Sequence, residues 1–114
     1  MFGNNQFLQQ ERQHRAAQIR RQRIEKARAL GTHTEAEWDE LCMEFGYRCV
    51  RCGIHAIDLL SEALTKDHVI PLFMGGCDCV QNLQPFCPHC NFGKGADIFN
   101  WVEYRRAHGF EAKT

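Results

Sequence analysis

Two Cys-x-x-Cys pairs, Cys49/Cys52 and Cys87/Cys90, stand 34 residues apart, and no other feature narrows the possible folds as much. Each pair can close a tight turn whose thiolates converge on one ion, and two such turns complete a tetrahedral shell at about 2.3 Å. A chain of 114 residues buries a limited fraction of its surface, so a metal staple supplies stability that a small apolar core lacks. With all four positions filled by protein, a zinc ion there is structural and has no open position for catalysis. The remaining three cysteines carry less information. Cys42 falls on an apolar helical face and reads as a small core residue, while Cys77 and Cys79, as Cys-x-Cys in a glycine-rich stretch, read as spare thiols. An odd total of seven cysteines, without an apolar run behind a basic start, argues against a secretory signal and places the chain in a reducing cytoplasm. No segment is long and apolar enough to cross a membrane.

Formal net charge is zero, but its distribution is uneven. Residues 1–30 hold seven Lys/Arg against Glu11 and Glu25, net +5, and residues 31–114 hold seven Lys/Arg against twelve Asp/Glu, net −5. The division predicts a basic helical arm over 1–30 and a separate folded domain over 31–114. From Gln6 to Leu30 the chain lacks Pro and Gly and favours one long helix. The stripe on that helix, Ala16, Ile19, Arg23, Ala27 and Leu30, is thin, so the helix must lean on the core, on a second subunit or on nucleic acid. Its cations either attract phosphates without regard to sequence or only keep a solvated helix soluble.

Gly31 stops the first helix. Thr34 and Glu37 form a capping box that opens a second helix, whose Trp38, Leu41, Cys42 and Phe45 face a core. Leu64–Ile70 reads as a strand ended by Pro71, Gly75-Gly76 as a turn, and Val80–Phe86 as the returning strand. A short helix follows over about Pro88–Lys94. Asp97 is expected to cap a last helix reaching His108, closed by Gly109, with Ile98, Trp101, Val102 and Tyr104 packing it onto the body.

Between and beside the cysteine pairs lies the most informative pattern: Lys66-Asp67-His68-Val69-Ile70-Pro71-Leu72, Gly75-Gly76, Asn82-Leu83-Gln84-Pro85-Phe86, Cys87-Pro88-His89-Cys90-Asn91 and Lys94. From about Glu35 to Asp97 the chain resembles the zinc-stapled branch of the HNH endonuclease family, similar to small phage or prophage members and to nicking enzymes. The resemblance implies an α+β fold: a ββα-metal (His-Me finger) core with a four-cysteine zinc site, flanked by helices that include the long basic N-terminal one. It also implies cleavage of DNA phosphodiesters, one strand per active site, so a monomer nicks and a dimer could break both strands.

The residue types suit that chemistry. Hydrolysis needs a nucleophile and a sink for the charge that develops on phosphorus and on the leaving oxygen. His68 can serve as general base, since imidazole titrates near working pH. By analogy Asp67 and the side-chain oxygen of Asn91 hold a divalent cation, and so few hard oxygen ligands suit Mg²⁺ or Mn²⁺. Asn82, an amide that does not titrate in this range, is expected to fix the loop and orient the site. Neighbours on a strand point to opposite sides, so twist or a bulge must bring Asp67 and His68 to one phosphate. The last letter of the motif is often His and here is Asn91, which leaves metal preference open. His89 and His55 read as solvent-facing.

Lys94 is expected to meet a DNA phosphate. Arg48 and Arg51 are either phosphate contacts or ordinary surface charge. After a nuclease core, Arg20, Arg21 and Arg23 become the middle of a DNA arm. The expected partners are DNA, no membrane, and by analogy phage DNA-processing proteins, with the chain a monomer or weak homodimer. The rival readings are a non-catalytic zinc-stapled DNA-binding module and an interaction protein assembled through its basic helix.

Overall fold

The computed structural model describes residues 2–60, 63–95 and 97–110, with the side chains of 2–7 and of Ala27, a member of the predicted stripe, outside the description. Helix α1 runs Phe2–Ala29 and α2 Glu35–Glu44, strand β1 spans Thr65–His68 and β2 Leu83–Phe86, and helices α3 (Pro88–Phe92) and α4 (Trp101–His108) follow.

The thin stripe on α1 has the consequence that composition suggests. Ala16, Ile19 and Leu30 stay exposed, Ile24 is half-buried, and the helix touches the body at a 3-10 turn over Leu72–Met74, where the Arg23 guanidinium donates to the Phe73 carbonyl at 3.2 Å. Gly31, at φ 136°, then carries the chain into α2. The capping box there is complete: Thr34 Oγ1 accepts from the Glu37 amide at 3.1 Å, and Glu37 Oε1 accepts from the Thr34 amide at 2.9 Å.

Leu41 of α2 and Phe45, its C-cap, pack with Val50, Leu83, Phe86, Val102 and the cysteines Cys49, Cys87 and Cys90, flanked by Trp38, Trp101 and Phe110. Burying each large side chain of this set is worth about 1.5–3 kcal/mol. Cys42 is buried, and burial, with the Asp39 carboxylate beside it, pushes its thiol up to about 11. It is an inert core residue.

β1 and β2 pair antiparallel, with Thr65 opposite Phe86, Lys66 opposite Pro85, Asp67 opposite Gln84 and His68 opposite Leu83. Both strands are shorter than the alternation predicts. Val80–Asn82 forms a 3-10 turn instead of opening β2, because the Asn82 amide donates back to Cys79 O at 2.9 Å and its side chain is committed to the opposite loop. The final helix also starts later than expected. Asn100, not Asp97, is its cap, accepting from the Glu103 amide at 3.0 Å, while Asp97 turns its carboxylate onto the Phe99 amide at 3.0 Å. Ile98 lies before α4 and is exposed, whereas Trp101 and Val102 pack inward as expected. Gly109 closes the helix, donating to Arg105 O. The outcome is a ββα unit with the cysteine turns at one end of the hairpin.

Candidate active site

The cysteine turns are built by backbone bonds that leave the sulfurs free to converge. Gly53, in the left-handed region at φ 84°, donates to Cys49 O at 2.8 Å, Cys49 donates to Ile54 O at 2.8 Å, and Val50 donates to Pro85 O at 3.0 Å, which ties the first turn to β2. The second turn opens α3, where Cys87 Sγ accepts from the Cys90 amide at 3.4 Å. The four sulfurs lie within 4.8 Å of one another, and Cys52 and Cys87 are 3.8 Å apart. Sulfurs about 2.3 Å from a common tetrahedral ion are separated by roughly 3.8 Å, so the set fits zinc. Burial, reinforced by the neighbouring cysteines, raises the Cys90 thiol well above its ordinary range. Only a cation would hold so crowded a group of sulfurs as thiolates.

At the other end of the hairpin, Lys66, Asp67, His68, Pro71, Leu72, Asn91, Lys94 and Gly95 line a cleft of about 240 Å³. Three of the four motif residues, Asp67, His68 and Asn91, therefore face one space. Asp67 is buried and its Oδ2 accepts from Gln84 Nε2 at 2.7 Å and from Lys94 Nζ at 2.8 Å. Gln84 can reach it because the register puts the two residues opposite each other. Its own carbonyl oxygen accepts from the Trp101 amide at 3.0 Å, so α4 locks the amide that locks the carboxylate. Asn91 is held from α3, its Nδ2 donating to Thr65 Oγ1 at 2.7 Å. Among the described residues no hydrogen bond engages Asp67 Oδ1 or Asn91 Oδ1, the two oxygens able to take a hard cation.

His68, the next residue along β1, faces the loop between the strands, where its Nε2 lies 2.8 Å from Asp78 Oδ1. Asn82 sits behind the cleft. Its Oδ1 accepts from the Ile70 amide at 3.0 Å and its Nδ2 donates to the carbonyls of Ile70 at 2.9 Å and Cys77 at 2.7 Å, clasping the two ends of the inter-strand loop. Gly76 permits this approach, since a Cβ there would run into the Ile70 carbonyl and stand 2.9 Å from Asn82 Nδ2.

Several side chains are placed differently from their sequence reading. Lys94 points inward: besides Asp67, its ammonium donates to His68 O at 2.6 Å, and only 9% of its side chain is exposed. Cys77 and Cys79 are not spare thiols but are joined as a disulfide, because the turn that clasps onto Asn82 folds the two side chains together. His55 is half-buried and works as a cap, its Nδ1 accepting from the Ile57 amide at 3.0 Å. His89 is exposed. Arg48 is exposed and donates to Gly53 O at 2.9 Å, Arg51 is half-buried, and Arg20 and Arg21 are exposed along α1. Gln84 and Asp78 carry no distinctive signal in the sequence, although the opposed register of the two strands singles out Gln84 once Asp67 is chosen.

A hairpin and helix around a polar cleft, stapled by four cysteines, define a ββα-metal domain. Residues 49–97 match the family model described as HNH endonuclease. This segment contains both cysteine pairs, both strands and α3, and over it the chain is similar to the HNH endonuclease family, a family of nucleases. No curated protein and no solved structure matches the chain at a significant level.

Proposed function

We propose that the protein is a metal-dependent DNA endonuclease that hydrolyses phosphodiester bonds in the cleft between β1 and α3, nicking one strand per active site. The observation that carries this reading is the convergence of Asp67, His68 and Asn91 on one cleft, each held by a neighbour that leaves its reactive atom free. A pure zinc scaffold needs none of the three.

In this reading Asp67 and Asn91 hold Mg²⁺ or Mn²⁺ through Oδ1 of each side chain. Bound there, the ion would neutralise charge developing on the phosphate and the leaving oxygen. Gln84 and Lys94 fix the Asp67 carboxylate so that it presents one oxygen to the cleft, which lowers the reorganisation needed on binding. His68 takes the proton from the attacking water. Asn82 keeps the loop behind His68 in place. Lys94 serves the site from inside, by pairing with Asp67 and not by meeting a phosphate.

Residues 1–30 act as a basic arm on the 31–114 nuclease domain, with Arg20, Arg21 and Arg23 together with Arg48 and Arg51 supplying phosphate contacts that add affinity without sequence choice. The domain works as a monomer or weak homodimer in a cytoplasmic setting, alongside other phage DNA-processing proteins. Glutamine at the arm arginines should weaken DNA binding and flatten its salt dependence.

A supercoiled-plasmid assay tests the proposal, comparing the protein with His68→Ala in Mg²⁺, Mn²⁺ or EDTA, with zinc content measured in both. Open circles formed only with added cation, and lost in a variant that keeps its zinc, are the expected result. Failure of both proteins to cut in any metal, while folded and bound to DNA, would overturn it in favour of a zinc-stapled DNA-binding module.

A further inference from the structure

We propose that Asp78 is a positioning residue for His68, holding the imidazole by its Nε2 so that Nδ1 is the nitrogen that receives the proton of the attacking water. The inference rests on the reading of His68 as the general base and names what aims it.

Asp78 lies in the loop between β1 and β2, midway between Cys77 and Cys79, and both of its carboxylate oxygens are used. Oδ1 is 2.8 Å from His68 Nε2, and Oδ2 accepts from Thr32 Oγ1 at 3.0 Å. Its backbone carbonyl lies 2.8 Å from His33 Nδ1. The acid is therefore gripped from the segment that joins α1 to α2, more than forty positions away in sequence, while Asn82 Nδ2 holds the Cys77 carbonyl just before it. Only 16% of the Asp78 side chain is exposed. Burial acts to raise its carboxyl, but hydrogen bonds from His68 and Thr32 outweigh this and hold it below the usual carboxylate range.

An ionised carboxylate can only accept hydrogen bonds. A neutral His68 must then carry its hydrogen on Nε2, which leaves the lone pair on Nδ1. One ring nitrogen is thus tied to the loop, and among the described residues no hydrogen bond engages the other, which is left for water. The arrangement has the logic of any base oriented by a third group: the acid fixes tautomer and ring direction and takes no proton itself. Thr32 makes the linker after the basic helix part of this support.

The test compares the protein with Asp78→Ala, Asp78→Asn, Thr32→Val and His68→Ala in Mg²⁺, measuring kcat and KM for plasmid cleavage, zinc content, and the tautomer of His68 from its ring ¹⁵N chemical shifts. Asp78→Ala should lower kcat on the order of 100-fold, with KM within about twofold and zinc retained, and should convert His68 from the Nε2–H form to a mixture. Asp78→Asn keeps an acceptor oxygen for Nε2 and a donor for Thr32, so it should recover part of kcat and of the tautomer preference, and it tests the inference if the alanine variant fails to fold. Thr32→Val should show the smallest loss, about threefold. A shifted tautomer with unchanged kcat, where His68→Ala is inactive, overturns the inference and leaves the base reading standing. A fall in kcat with the tautomer unmoved overturns it as well, since the effect is then general loosening. Full activity in His68→Ala removes the base and the positioning role together.

Discussion

The two ends of one short hairpin make opposite uses of polar ligands. At the end where β2 runs into α3, Cys49, Cys87 and Cys90 are buried in the apolar core, and the structure around them closes through backbone bonds. At the other end Asp67, His68 and Asn91 line an open cleft, and almost every tie that fixes them is a side-chain hydrogen bond. A soft, closed set of four sulfurs suits an ion that stays for the life of the fold. A hard, incomplete set of two oxygens suits one that must share its shell with a substrate. On the proposed function, stability and chemistry are separated along a strand of four residues, Leu83–Phe86, with Gln84 serving the cleft and Phe86 the core.

The contrast is easiest to break at the cysteine end. Structural zinc contributes about 10–16 kcal/mol in small domains, which equals or exceeds the whole stability of a typical domain, about 5–15 kcal/mol. Stripping the metal with a strong chelator, or replacing Cys90 with Ser, should unfold the core around the hairpin, seen as loss of the Trp38 and Trp101 fluorescence signature and of cooperative melting. Removal of Mg²⁺ should leave the same melt unchanged. If zinc-free protein keeps its melting transition, the core does not depend on the staple and the contrast between the two ends disappears.

At the cleft end the largest expected effect belongs to Lys94. Its ammonium is paired with a carboxylate of which only 7% is exposed. Removing one member of such a pair leaves a buried charge uncompensated, so Lys94→Ala should destabilise by about 3 kcal/mol in urea unfolding. The double variant Asp67→Asn, Lys94→Met should recover much of that loss, because no charge is then stranded. A Lys94→Ala protein of unchanged stability with a flattened salt dependence of DNA binding would instead make Lys94 a phosphate contact.

Gly76→Ala should cost about 2 kcal/mol, since the added methyl strikes the Ile70 carbonyl and loosens the Asn82 clasp. Zinc content should be unaffected, and the damage should appear as faster hydrogen exchange between Ile70 and Asn82. Damage reaching the cysteine turns would mean that the two ends fold as one unit.

How much of this is legible in the chain alone follows from the range of the interactions. The cysteine spacing, the Thr34–Glu37 box and the stop at Gly31 depend on residues within a turn or on a fixed ligand geometry, and the chain spells them out. The motif spacing also marks Asp67, His68, Asn82 and Asn91 as a group. Their partners are another matter. Asp78 meets Thr32, and Lys94 meets Asp67, across separations of 46 and 27 positions, and such pairings are fixed by the fold. Lys94 reads as outward-facing because a lysine is exposed by default. Cys77 and Cys79 read as thiols because pairing at a separation of two needs the turn that the Asn82 clasp imposes. Asp97 and Asn100 are both good cap residues, and only the packing of Trp101 decides between them.

The smallest expected effect lies away from both ends, where α4 meets α2. Arg106 forks onto Glu44, with Nε to Oε2 at 2.7 Å and NH2 to Oε1 at 2.9 Å, a bidentate geometry, but about half of the arginine side chain is exposed. Hydrogen bonds from Arg106 hold the Glu44 carboxyl below its ordinary value of 4.5. A carboxyl lowered on folding stabilises the native state above that ordinary value, and the contribution fades as pH falls through the lower folded one. Screening by water and salt keeps it under about 1 kcal/mol. The difference in melting temperature between the protein and Glu44→Gln should therefore be small at pH 7, and it should vanish in acid as the glutamate is protonated. A gap that widens as pH falls would have the wrong sign for a paired carboxylate. Since Arg106 also lies over the ring of Phe45, Arg106→Ala should lose more than Glu44→Gln at every pH. The excess measures packing against the cysteine end, and the pH-dependent remainder measures the ion pair alone.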